Sequence, residues 1–126
     1  MPYGAKAGFG RALAYAVELG AEAIEARIVS LAEQLRDGLG QLEGVDIRDT
    51  GRRRCGIVTF TVAGTDPATV SGRLRDNGIN TGAPDVTGGR LDLESRGVQA
   101  VVRVGVHYYN TEDEVDRLIT EVAALN

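Results

Sequence analysis

Six apolar residues, Ile24, Ile28, Leu31, Leu35, Leu39 and Leu42, recur at steps of 4, 3, 4, 4 and 3. That spacing draws one stripe along a helix of period 3.6. Glu22, Glu25, Arg27, Glu33, Gln34, Arg36 and Asp37 take the other faces. The pattern predicts a helix over 21–42, about 33 Å long from the α-helical rise per residue. Ahead of it, a loose opening leads into AGFGRALAYAVELG, where Phe9, Leu13, Ala16, Val17 and Leu19 share a helical face. Gly8 and Gly10 weaken the start of this helix, and Gly20 is expected to break it from the next.

After Gly44 the period changes to two. Val45 and Ile47 alternate with Asp46 and Arg48, a short strand, and the polar stretch 49–54 reads as a loop. Residues 56–62, GIVTFTV, are β-branched and aromatic, a strand with Val58, Phe60 and Val62 toward the core. Thr65-Asp66-Pro67 is a helix start, with Val70 and Leu74 inward and Asn77-Gly78 as the stop after Asp76. Ile79 begins a short extended piece. Residues 81–97, rich in Gly, Pro, Asp and Arg, read as a mobile loop holding one helical turn at LDLES. The region 98–106 is the last strand. Thr111 and Glu114 have capping-box spacing, Asn110 is itself a good N-cap, and Glu112, Asp113 and Glu114 suit the helix dipole. Val115, Leu118, Ile119, Val122 and Leu125 are the buried stripe of that last helix.

The expected order is helix, helix, strand, strand, helix, strand, strand, helix. That is an α+β fold: a small antiparallel or mixed sheet of about three or four strands covered by helices, preceded by a long N-terminal helical segment. No internal repeat or low-complexity segment interrupts it. The 126 residues make one domain, 1–126. The charge balance of 14 basic to 18 acidic residues gives no drive toward nucleic acid or anionic lipid. No apolar run reaches membrane-spanning length and no secretory h-region opens the chain, so no membrane partner is expected. The single cysteine, Cys55, excludes an internal disulfide framework, and with one histidine it excludes the usual zinc sites. A cytoplasmic location is the default expectation.

Chemistry has few candidates. Arg103 interrupts the apolar strand VVRVGV, and its planar guanidinium suits a carboxylate held by two parallel hydrogen bonds. The alternative is an arginine on the solvent face of an edge strand. His107, next to Tyr108 and Tyr109, has no nucleophile at a telling spacing. Cys55 follows Arg52-Arg53-Arg54, which can activate a thiol, although a cysteine entering a strand also serves as a small hydrophobe. Gly82 and Gly88-Gly89 belong to no phosphate-loop pattern.

The segment VVRVGVHYYNTEDEVDRLI resembles the closing segment of class V aminotransferases, a superfamily that includes cysteine desulfurases, selenocysteine lyases and isopenicillin epimerase-like proteins. FGRALAYAVELGAEAIEARIVSLAEQLRDGL resembles the long helix entering the family's small domain, and RRCGIVTFTVAGTDPATVSGRLRDNGI its strand, helix and turn. The resemblance covers essentially the whole chain. It implies the small C-terminal domain of a pyridoxal-phosphate-dependent enzyme, whose large domain supplies the Schiff-base lysine. Lys6, the only lysine here, does not match that position, and the large domain's Asp and His motifs have no counterpart. No cofactor is therefore expected on this chain alone, and the chain is expected to be inactive alone. Arg103 aligns with the arginine that holds the substrate's carboxylate, with Gly82 and His107 lining the site; the implied partner is an amino-acid substrate in the full enzyme. Desulfurases carry a cysteine in the loop after the segment matching GINTG. Here APDVTGGRLDLESRG has none, which places the chain nearer the aminotransferase-like or epimerase-like branch. The apolar face of the first two helices is expected to drive homo-oligomer formation.

Overall fold

The computed structural model describes residues 2–125. Its elements are α1 (Tyr3–Leu19), α2 (Ala21–Gly40), β1 (Val45–Ile47), β2 (Ile57–Val62), α3 (Pro67–Asp76), α4 (Val86–Ser95), β3 (Val102–Gly105) and α5 (Glu112–Ala123). The three strands form an antiparallel sheet in the order β1-β2-β3. Val45 pairs with Val62 and Ile47 with Phe60; Val58 pairs with Val104 and Phe60 with Val102. This is the expected α+β fold.

Alternation along β2 puts Val58, Phe60 and Val62 on one face, and all three are buried. α2 and α3 lie on that face, and α5 packs against both helices. Leu31, Leu35 and Leu39 of α2, Val70 and Leu74 of α3, and Val115, Leu118 and Val122 of α5 complete the core. Each fully buried side chain of this size contributes about 1.5–3 kcal/mol. α2 and α5 come close at Gly38, where a β-carbon would collide with Ile119 Cδ1. α5 starts with the expected capping box: Thr111 is the N-cap and Glu114 reaches back to its backbone N–H at 3.0 Å. Asn110 is not the cap. Its Oδ1 accepts from the His107 N–H at 2.8 Å, and its Nδ2 donates to Glu114. Asp66 caps α3 ahead of Pro67, and Gly78, at φ 76°, ends it.

The structure corrects four sequence-based expectations. Residues 81–97 are not a loop with one turn. α4 spans ten residues, capped by Asp85 through Thr87 N–H at 2.9 Å and kinked at Gly89. Its poor periodicity concealed it, because only Leu93 is buried. The extended piece after Ile79 is not a strand either; it makes single bridges, Gly82 to Arg103 and Asp85 to Ala100. The last strand is shorter than 98–106. Lastly, Arg36 is not on a solvated face of α2 but buried. The first helix begins at Tyr3 in spite of its glycines, and it contacts α2 alone among the elements. Tyr3, Phe9, Leu13, Tyr15, Val17 and Leu19 stay exposed on it.

Candidate functional site

Arg103 stands between buried Val102 and Val104, so the pleat turns its side chain to the open face of the sheet, where it is exposed. Its N–H donates to Gly82 O at 2.7 Å, and its carbonyl accepts from Gly82 N–H at 2.9 Å. Both backbone groups therefore point away from β2. Its partner across the ladder, Thr59, is thus of the non-hydrogen-bonded kind, in which the two side chains lie closest. A β-carbon at Gly82 would lie 3.9 Å from Arg103 Nε, so the guanidinium stem passes beside this glycine. Among the described residues no group accepts a hydrogen bond from the Arg103 guanidinium. It is an exposed, unspent fork suited to an incoming carboxylate.

The structure thus brings Gly82 and Arg103 together. His107 lies beyond the end of β3, exposed, its ring stacked on Tyr109 at 4.3 Å and tilted against Tyr108 at 4.6 Å. No nucleophile hydrogen bonds to that ring among the described residues. The turn carrying it is anchored to α2: Arg27 donates to Asn110 O at 3.1 Å and pairs with Glu112. That pair, with the Glu112 N–H, holds the Glu112 carboxyl down at about 2. Hydrogen bonds from the Thr87 side chain and backbone likewise hold Asp85, at the start of α4, below the usual carboxylate range.

Cys55 is exposed, and two of the three arginines before it are engaged in holding their loop to α2: Arg53 to Glu25 at 2.8 Å and Arg54 to Glu33 at 2.6 Å. Sequence reasoning missed the group beneath that loop. Arg36 donates through Nε to Asp49 at 2.6 Å, through Nη1 to Glu33 at 2.8 Å, and through Nη2 to the carbonyls of Cys55 at 2.8 Å and Ile57 at 2.9 Å. Asp49 in turn accepts from the Thr59 N–H at 2.8 Å and hydroxyl at 2.6 Å. The only sequence signal was position: Arg36 sits at the margin of the apolar stripe, beside Leu35 and three residues before Leu39.

The residues present do not fit pyridoxal phosphate. The one lysine, Lys6, is exposed on α1, a helix in contact with α2 and no other element. Among the described residues no cluster of His, Cys, Asp or Glu could hold a metal ion, and no helix is long and apolar enough to cross a membrane.

The site thus consists of a three-stranded sheet backed by helices, with the exposed guanidinium of Arg103 on its open face. The family model for class V aminotransferases matches residues 2–118, and the chain belongs to that family. It is similar to a probable cysteine desulfurase of Pseudomonas putida, 33% identical over 110 residues, covering 87% of this chain and 27% of the relative. A probable cysteine desulfurase of Halobacterium salinarum is 34% identical over 112 residues, covering 88% of this chain and 27% of the relative. Among solved structures, the apo cysteine desulfurase of Thermococcus onnurineus NA1 matches with a TM-score of 0.82 and 26% identity over 88% of this chain and 28% of that one. The chain spans about a quarter of the length of these curated relatives. It is cysteine desulfurase-like in sequence and fold, yet residues 83–97 hold no cysteine.

Proposed function

We propose that this chain serves as the small C-terminal domain of a pyridoxal-phosphate-dependent class V enzyme acting on an amino acid. In this reading it contributes substrate binding and is incomplete for catalysis by itself. Arg103 receives the substrate's carboxylate in a bidentate pair, Gly82 keeps the approach open, and His107 lines the far side. The cofactor and its lysine belong to a domain outside these residues. The observation that carries the reading is the Arg103 guanidinium, exposed and without an intramolecular acceptor on the open face of the sheet.

The test is a chimera in which this chain replaces the matching segment of the Pseudomonas putida relative. Amino-acid binding and turnover are then measured with and without Arg103→Ala. The variant is expected to keep its circular dichroism spectrum and to lose about 2–4 kcal/mol of apparent substrate affinity, the cost of leaving a charge unpaired. Unchanged affinity returns Arg103 to an ordinary exposed strand residue.

A second reading, a stand-alone binding or oligomerisation module, is favoured by one observation: α1 leaves Leu13 and Val17 exposed where they line an apolar groove shared with α2. Under either reading we propose that the isolated chain self-associates through this face. A clean monomer at high concentration in light scattering overturns that part.

A further inference from the structure

At the other side of the open sheet face lies a hollow of about 280 Å³. Arg48 at the end of β1, Arg53 and Arg54 from the β1–β2 loop, and Arg96 from the end of α4 converge on it, with Thr59 and Asp49 also lining it. Its hydrogen-bonding inventory is one-sided. Arg96 Nε is buried and has no acceptor among the described residues, while its two terminal nitrogens are spent on Arg48 O and Asp92. Arg48 uses Nε on Thr61 Oγ1 at 2.9 Å and one terminal nitrogen on Asp46 at 3.0 Å, which leaves the other unspent. Arg53 and Arg54 each commit a single terminal nitrogen, to Glu25 and Glu33.

The acceptors, by contrast, are few and mostly engaged. Both Asp49 oxygens are occupied, by Thr59 and Arg36. Asp92 lines the hollow as well and gives one carboxylate oxygen to Arg96, whereas Glu25, Glu33 and Asp46 hold their arginines from outside the lining. A buried donor left without a partner is costly, so Arg96 Nε gains from any acceptor that reaches it. A space lined by five arginines against two carboxylates, Asp49 and Asp92, carries net positive charge and spare N–H groups, and is complementary to a ligand made of acceptors.

We infer that this hollow binds a small multivalent oxyanion of the phosphate class. The lining does not include Arg103, Gly82 or His107, although Thr59 lies beside Arg103, and the inference does not depend on the proposed enzymatic role. Forked guanidinium donors from three segments suit a tetrahedral oxyanion better than a single carboxylate, which two parallel hydrogen bonds already satisfy.

The experiment is a titration of the isotope-labelled chain with inorganic phosphate, reading amide chemical shifts at constant ionic strength set by chloride. Saturable shifts confined to the amides around Thr50, Arg54, Thr59 and Arg96 are expected. Arg48→Gln and Arg54→Gln each remove donors and are expected to weaken binding about tenfold, the worth of one charge-assisted hydrogen bond. Arg73→Gln, on α3, is expected to leave it unchanged. Glycerol 3-phosphate run in parallel separates the sources: tighter binding of the ester assigns the hollow to a phosphoryl group on a metabolite, equal or weaker binding to the free ion. Shifts that are linear, that chloride reproduces, or that survive both Arg48→Gln and Arg54→Gln overturn the proposal. Arg54→Gln changes an exposed loop residue, so its result stands even if Arg48→Gln disturbs β1.

Discussion

Replacing Arg36 with methionine tests whether the buried guanidinium is a fastener of this fold. The Arg36 side chain is 3% exposed and that of Asp49 8%. Arg36→Met would leave Asp49 without its counter-charge and the carbonyls of Cys55 and Ile57 without their donor. Breaking a buried ion pair from one side costs about 3–5 kcal/mol. Asp49 would keep both hydrogen bonds from Thr59, and half-exposed Glu33 would return to water, so the lower end applies, about 3 kcal/mol. Against a total stability of about 5–15 kcal/mol for a domain, that is a large fraction. Urea unfolding followed by far-ultraviolet circular dichroism measures it. The double variant Arg36→Met/Asp49→Asn removes the stranded charge as well, so its loss is expected to fall short of the sum of the single losses. A loss below about 1 kcal/mol for Arg36→Met, or strict additivity in the double variant, refutes the reasoning.

Three further outcomes follow from the packing and the caps. Gly56→Ala places a β-carbon 2.6 Å from Val106 O, a backbone atom that cannot swing aside, so a loss of about 2 kcal/mol is expected in thermal unfolding. Thr111→Ala removes the capping box of α5 and is expected to cost about 1 kcal/mol by the same measurement. Glu112, depressed from 4.5 to about 2, contributes stability that is present above 4.5 and lost as pH falls toward 2. Glu112→Gln is therefore expected to flatten the pH dependence of stability within that window, and an unchanged acid limb counts against the Arg27 pair.

The elements legible in the sequence were those whose burial imposes a period. The α2 stripe, the β2 alternation and the capped α5 each show one face to the core, and each lies close to its expected place. α4 was illegible because it buries only Leu93, so no stripe was selected. Arg36 was illegible for the opposite reason: a charge within a polar run looks solvated until Asp49, thirteen residues away, is folded against it. Arg103 was visible as a polar residue in an apolar strand. Its freedom from intramolecular acceptors depends on which side chains the fold brings near and could not be read from spacing. Its pairing with Gly82 was equally hidden, because that bridge belongs to a segment without strand character.

The pairing of α2 with α5 also bears on how the chain is made. Arg27 meets Glu112, Gln34 meets Asp116 at 2.9 Å, and Gly38 meets Ile119, so during synthesis α2 waits for α5, about seventy residues later in the chain. Until residues 112–123 emerge, Leu31, Leu35 and Leu39 lack part of the cover they have in the finished domain. Translation stopping after Tyr109 would release not a smaller version of the domain but a chain with an open apolar seam, a substrate for chaperones and proteases.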